Sequence, residues 1–245
     1  MGKLKIYKMK DTSDSFVSKK KNLFNLPMRL LVISKTGEGK SNLLGNLLLR
    51  PEMYKDDFLP ENIFIFSGSL SGDRKMKTIV EQLEIPTSNL YEGFNNDTLN
   101  IIYDTLVDNF KENVADKVKD KQKLNSLIIF DDLAFADTFK SDKKDDGIRR
   151  IFFNGRKFLV SCVIISQKYS SVGTSLRENA SGLILGKSSN KQLELIEADH
   201  NYLKEGKKKF VQMYRDATDS DFGKLVINFS EPNLYYNQDF EPLDY

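Results

Sequence analysis

The chain of 245 residues has a single cysteine, Cys162, and a single histidine, His200. A lone cysteine excludes an internal disulfide framework and any cysteine-rich zinc site. A lone histidine likewise excludes a histidine-based metal cluster. Charge of one sign is also scarce, with 37 Lys and Arg against 35 Asp and Glu and a net charge of +2. That balance rules out a protein that coats nucleic acid through bulk positive charge, while leaving local basic patches open. Long apolar runs are missing too. The stretch from Phe158 to Ile165 is among the longest, far short of the roughly 18 residues a bilayer span needs. The basic start MGKLKIYKMK is followed by no apolar segment, so no secretory signal is visible. The chemistry must therefore run on carboxylates, amides, hydroxyls, lysines and backbone.

What is present is a globular pattern. Hydrophobic residues make up 40% and charged residues 29%, and the length suits one generous domain or two small ones with a full core. Residues 1–23 are rich in Lys, Asp and Ser without periodicity and read as a flexible basic arm. From residue 24 to 230, short apolar runs alternate with amphipathic stretches. The runs Arg29 to Ile33, Asn62 to Phe66, Ser126 to Phe130, Val160 to Ile165, Gly182 to Leu185 and Lys224 to Phe229 predict strands. Helical spacing covers Ser41 to Leu49, Arg74 to Leu83, Thr98 to Phe110, Ile148 to Phe153, Gln192 to Ala198 and Lys207 to Tyr214. The charged stretch Lys111 to Lys123 reads as a solvated helix end or loop. Strands buried on both faces and separated by helices predict an α/β fold with a mostly parallel central sheet flanked by helices. Residues 231–245, acidic and aromatic, read as a surface tail.

The strongest local signal is Ser34-Lys35-Thr36-Gly37-Glu38-Gly39-Lys40-Ser41, set between a strand and a helix. It matches the phosphate-binding pattern G-x-x-x-x-G-K-[ST] except that Ser34 replaces the first glycine. Backbone N–H groups of such a loop turn toward phosphate oxygens, and the helix N-terminus adds a favourable dipole. Lys40 is placed to reach the β- and γ-phosphates and Ser41 to ligate Mg²⁺. The motif alone would also suit a Gly-rich turn that starts a helix. The flanking RLLVI and SNLLGNLLL supply the context that makes it an ATP site.

The strand LIIFDD ends in two acids. Asp131 is positioned to hold Mg²⁺, and Asp132 follows where many NTPases polarise the attacking water. The next strand, VSCVIISQ, ends in Gln167, a side chain suited to sensing the γ-phosphate or orienting water. Ligands of open α/β sheets gather at the carboxyl ends of strands, where all three motifs fall. Alternation buries Ser166, and Cys162 reads as a core thiol.

The segments FNLPMRLLVISKTGEGKSNLL, LIIFDDLAF, FFNGRKFLVSCVIISQKYSSVGTSLREN and GLILGKSSN together resemble the poxvirus-type genome-packaging ATPases of the FtsK–HerA superfamily. Within it the short chain is most similar to virophage versions. The resemblance covers residues 24–230, and its departures are Ser34 and Lys157, which stands where the family often has histidine. It implies an additional-strand RecA-like core, assembled as a pentameric or hexameric ring that moves double-stranded DNA into a preformed capsid. Portal-vertex proteins would be its partners and the virion or assembly site in the host cytoplasm its location. It also implies an arginine acting in trans on the γ-phosphate, for which Arg177 and Arg156 are the candidates. For DNA, Lys140, Lys143 and Lys144 in the loop after Asp132 are the first choice, with Lys117 to Lys123 and Lys207 to Lys209 as other patches.

Two other readings stay open. A small-molecule P-loop kinase needs an acceptor pocket and an Arg-rich lid, and Arg149, Arg150 and Arg156 make a poor one. A regulatory nucleotide switch with little turnover would share the loop but not the DNA dependence.

Overall fold

A computed structural model describes residues 20–133, 146–231 and 234–245. Most of the N-terminal arm and the DNA-contact candidates Lys140, Lys143 and Lys144 lie outside the described residues.

Eight strands form one sheet in the order β3-β2-β4-β5-β1-β6-β7-β8. They are β1 (Arg29–Ile33), β2 (Ile63–Ser67), β3 (Leu90–Glu92), β4 (Ser126–Asp131), β5 (Val160–Ser166), β6 (Gly182–Leu185), β7 (Leu225–Asn228) and β8 (Tyr235–Tyr236). The first six in this order run parallel, and β7 and β8 close one edge antiparallel. β5 stands between β1 and β4, so an additional strand separates the phosphate-loop strand from the acidic strand. This is the α/β arrangement expected from the resemblance.

The helices are α1 (Lys40–Leu49), α2 (Arg74–Gln82), α3 (Asn96–Ala115), α4 (Lys121–Leu124), α5 (Gly147–Asn154), α6 (Thr174–Asn179), α7 (Asn190–His200) and α8 (Lys207–Thr218). Period-two alternation sends each strand's residues to two cores. Leu31, Ile33, Ile128, Phe130, Cys162 and Ile164 pack with apolar residues of α3, α5, α7 and α8. Leu30, Val32, Leu127, Ile129, Val163 and Ile165 pack with those of α1 and α2. Every residue of β4 and β5 is buried, as strands sandwiched between helices must be. Cys162 is fully buried, and desolvation pushes its thiol well above the usual range, so it is a core thiol.

Four elements escape the sequence pattern, among them α4, whose four residues fall mostly in the stretch read as a solvated helix end or loop. β3 has three residues at the sheet edge, α6 has six, and β8 has two. None is long enough to show a period. Residues 234–245, read as a surface tail, are instead integral: Tyr235 and Tyr236 extend the sheet beyond β7 and both are buried. Phe240 meets Phe24 edge to face with ring centroids 5.8 Å apart, which ties the C-terminal segment to the N-terminal side of the domain. α3 continues to Ala115 beyond its apolar stripe, its last turns carrying exposed charge.

Register aligns the carboxyl ends of the central strands. Ile33 pairs with Ser166, Asp131 with Ile165, and Ser67 with Asp131. The residues that follow, Ser34, Asp132, Gln167 and Gly68, therefore emerge along one edge.

Candidate nucleotide site

The loop 34–41 leaves β1 and enters α1 with Gly37 at φ 82° and Gly39 at φ 79°. These left-handed positions need glycine, and they turn the loop's amides inward ahead of the helix N-terminus. Ser34 is not among the left-handed residues, so glycine's freedom is not needed where it replaces the first glycine. Its hydroxymethyl group uses space left by another glycine: a Cβ on Gly186 would lie 2.2 Å from Ser34 Oγ. The substitution is matched across the β1–β6 pair.

Lys40 Nζ donates to the Lys35 carbonyl at 3.0 Å. Desolvation lowers its pKa, opposed by the charges of Asp131, Asp132 and Glu38. Those acids face the lysine across the edge. Asp131 is 6% exposed, and burial, with Asp132 and Asp73 nearby, lifts its pKa to about 6. Asp132 sits at φ 50°, a conformation aspartate tolerates, directly after the strand. Its Oδ1 accepts from Gln167 Nε2 at 3.0 Å. The acidic strand and the amide-ended strand thus touch at their carboxyl ends.

Two contributors were not legible beforehand. Asp73 caps α2, accepting from Lys75 N at 2.8 Å and Met76 N at 3.1 Å through Oδ1. Its other oxygen accepts from Ser41 Oγ at 3.0 Å. A third carboxylate therefore reaches the phosphate loop from the turn SGSLSGD. The signal was a helix-capping aspartate, which a sequence reading assigns to capping alone. Gly68 lets this turn pass the acids: a Cβ there would lie 2.4 Å from the Asp132 carbonyl oxygen.

The raised pKa of Asp131 has a thermodynamic consequence. A carboxyl that holds its proton more tightly folded than unfolded favours folding at low pH, and that benefit is lost as pH rises from about 4 through about 6. Above that window the ionised, crowded Asp131 costs up to about 3 kcal/mol without a cation. Asp131→Asn is expected to raise the melting temperature of the nucleotide-free protein at pH 8 and to leave it unchanged at pH 4. Thermal melts at the two pH values check this; an equal shift at both would remove the charge explanation.

A scan of family models matches the poxvirus A32 protein family over residues 15–235. The chain belongs to the poxvirus A32 protein family. The resemblance to poxvirus-type packaging ATPases thus holds, and the chain is read as a DNA-packaging ATPase of that family. No curated protein matches it by sequence. Among solved structures it is similar to the genome packaging NTPase B204 of Sulfolobus turreted icosahedral virus 2, solved with AMP, at 14% identity and TM-score 0.57, covering 88% of this chain and 97% of that one. A second likeness is to ATPases 2 and 3 of EssC from Geobacillus thermodenitrificans, at 12% identity and TM-score 0.57, covering 86% and 39%. At these identities the likeness establishes the shared fold.

The two arginines of this A32-family chain separate. Arg177 is 8% exposed, its Nη1 2.8 Å from Asp199 Oδ2. Its guanidinium lies 4.7 Å from the Tyr169 ring centroid and donates to Thr174 Oγ1 at 3.0 Å. Within its own chain it is thus engaged by Asp199, Thr174 and Tyr169. Arg156 is exposed in the turn that opens β5. β5 has seven residues, so Arg156 stands roughly 23 Å from the phosphate edge of its own chain. It does not reach the nucleotide edge of its own chain. Lys117, Lys119, Lys123 and Lys207 to Lys209 are exposed.

Proposed function

We propose that this chain hydrolyses ATP at the 34–41 loop and uses the cycle to drive double-stranded DNA into a preformed capsid. The observation that carries the reading is the meeting of the phosphate loop, Asp131, Asp132 and Gln167 at one sheet edge, across an inserted strand. B204, similar in fold, was crystallised with AMP, AMPPCP and ATP-gammaS, which supports ATP as the ligand here.

The residues fit Mg²⁺. Ser41, Asp131 and Asp73 are all oxygen donors, and burial, with the neighbouring acids Asp132 and Asp73, already raises Asp131, a charge a cation would offset. Among the described residues no group of three or more metal-binding side chains could hold an ion alone; phosphate oxygens complete a magnesium shell, as is usual for this ion. When bound, the ion neutralises charge on the β- and γ-phosphates.

Lys40 leaves the Lys35 carbonyl and pairs with the γ-phosphate, where its charge offsets that developing in the transition state. Gln167 holds the Asp132 carboxylate by the 3.0 Å bond and so sets the direction in which it accepts a proton. Asp132 draws the proton from a water whose oxygen bonds to the γ-phosphorus, while the bond to the β–γ bridging oxygen breaks and ADP leaves. Arg156, free on the opposite end of the sheet, is the residue a neighbouring subunit in a pentameric or hexameric ring can present to that charge. Lys140, Lys143 and Lys144 follow Asp132 in sequence and are the residues assigned to DNA contact. Capsid portal-vertex proteins are the docking partners, and the virion or its assembly site the place of action. No helix among the described residues is long and apolar enough to cross a membrane.

Purified protein should hydrolyse Mg·ATP, with duplex DNA raising the rate several-fold in a salt-sensitive manner. Phosphate release measured with and without DNA at two salt concentrations tests it. Turnover indifferent to DNA but dependent on a small acceptor would replace the motor with a kinase. Tight binding without turnover would make it a switch.

A further inference from the structure

A cavity of about 220 Å³ opens beside the phosphate loop, lined by Gly39, Asn42, Leu43, Asn46, Phe222 and Gln238 among others. Its wall is unusual. Phe222 is 56% exposed and holds φ at 63°. Left-handed backbone is a true outlier for so bulky a residue, and an exposed ring gives no core packing in return. The surroundings hold it there. Lys224, 3% exposed, donates from Nζ to the carbonyls of Phe222 at 2.8 Å and Gly223 at 3.3 Å. Lys187 Nζ ties the same turn through the Asp219 carbonyl at 2.9 Å. The ring touches the phosphate loop itself: a Cβ on Gly39 would meet Phe222 Cδ1 at 3.0 Å.

The direction of a bound nucleotide follows from the site already described. Asp132 and Gln167 end β4 and β5, on one side of β1. The γ-phosphate must face them to be attacked. The α-phosphate, the sugar and the base then leave on the other side of β1, toward β6 and β7. Phe222 lies there, three residues ahead of β7. We propose that this cavity is the base subsite, and that it takes a purine stacked on the Phe222 ring. The proposal rests on the phosphate-loop reading of residues 34–41. An aromatic face gives a base a sequence-tolerant stacking surface, and a purine covers more of it than a pyrimidine. The Leu43 side supplies apolar contact, while the amides of Asn42 and Gln238 offer donors and acceptors to the base edge. Asn46 Nδ2 is engaged by the Asn42 carbonyl at 2.9 Å, leaving its Oδ1 as an acceptor. The turn that Lys224 and Lys187 hold in place thus presents the Phe222 ring to a ligand.

Calorimetric titration of the full chain with AMPPCP and with inorganic tripolyphosphate separates base from phosphate binding. Phe222→Ala should weaken AMPPCP by about tenfold or more and leave tripolyphosphate affinity as in wild type. Phe222→Tyr should restore AMPPCP binding. Phe222→Gly, which accepts the left-handed backbone freely, should melt at or above the wild-type temperature yet bind AMPPCP as weakly as the alanine variant, which excludes unfolding as the cause. Lys40→Ala should weaken both ligands. If Phe222→Ala binds AMPPCP like wild type, or loses tripolyphosphate equally, the stacking site is overturned while the phosphate loop stands. A wild-type chain that binds neither ligand overturns the phosphate-loop reading, and this proposal with it.

Discussion

Lys40→Ala should reduce ATP turnover about 10³-fold, equivalent to about 4 kcal/mol of lost transition-state stabilisation. The size follows from where the ammonium sits. It is half-buried, where desolvation disfavours its charge, and Asp131, Asp132 and Glu38 hold it ionised. A cation kept in so restricted a place interacts with phosphate more strongly than one in water. In the nucleotide-free chain its bond is to the Lys35 carbonyl at 3.0 Å, within its own loop. Loss of that bond changes folding little, so the variant should melt within a few degrees of wild type. Lys40→Arg should not rescue, because a planar fork cannot occupy the place of a compact ammonium. Phosphate release at saturating Mg·ATP, beside a thermal melt, measures both. Residual turnover above a tenth of wild type would remove Lys40 from the γ-phosphate.

The central part of this fold could be read from residues because burial leaves a pattern. RLLVI, SLIIF and VSCVII are strands sandwiched between helices, and they appear as continuous apolar runs. Each is followed by its functional residue, so the strand ends located Ser34, Asp131, Asp132 and Gln167. The edges carried no such pattern. β3 is half-exposed and three residues long, and β8 is two tyrosines in an acidic stretch. Their pairing depends on neighbours that only the folded chain brings near. Asp73 escaped for a different reason: one oxygen performs the capping role its position announces, while the other reaches Ser41. Phe222 carries no signal in the sequence, because a backbone angle leaves no trace in residue order. Ser34 shows the converse. It looked like a departure, and Gly186 across the sheet is its counterpart.

Arg177→Ala should cost about 3–5 kcal/mol of stability, the range for leaving one partner of a buried ion pair behind. Two facts set the position within that range. The Arg177 side chain is 9% exposed and that of Asp199 30%, so water partly compensates the orphaned carboxylate and favours the lower end. Against this, Asp199 does not stand alone. Tyr169 Oη donates to its Oδ2 at 2.8 Å and lies 2.6 Å from His200 Nε2. The guanidinium covers the Tyr169 ring. Its removal therefore loosens the joint between α6, α7 and the turn after β5. At about 2–4 °C per kcal/mol for a domain of this size, the melting temperature should fall by about 6–20 °C. Asp199→Ala added to Arg177→Ala should recover part of the loss, since the double variant buries no unpaired charge. A residue acting on a neighbour's γ-phosphate would give the opposite signature: unchanged melting with turnover reduced by orders of magnitude. Arg156→Ala is expected to show that second signature, because its side chain is exposed and far from its own nucleotide edge. The two variants, compared by melting and by turnover well below the transition, separate an arginine that holds the fold from one that acts on a neighbouring molecule.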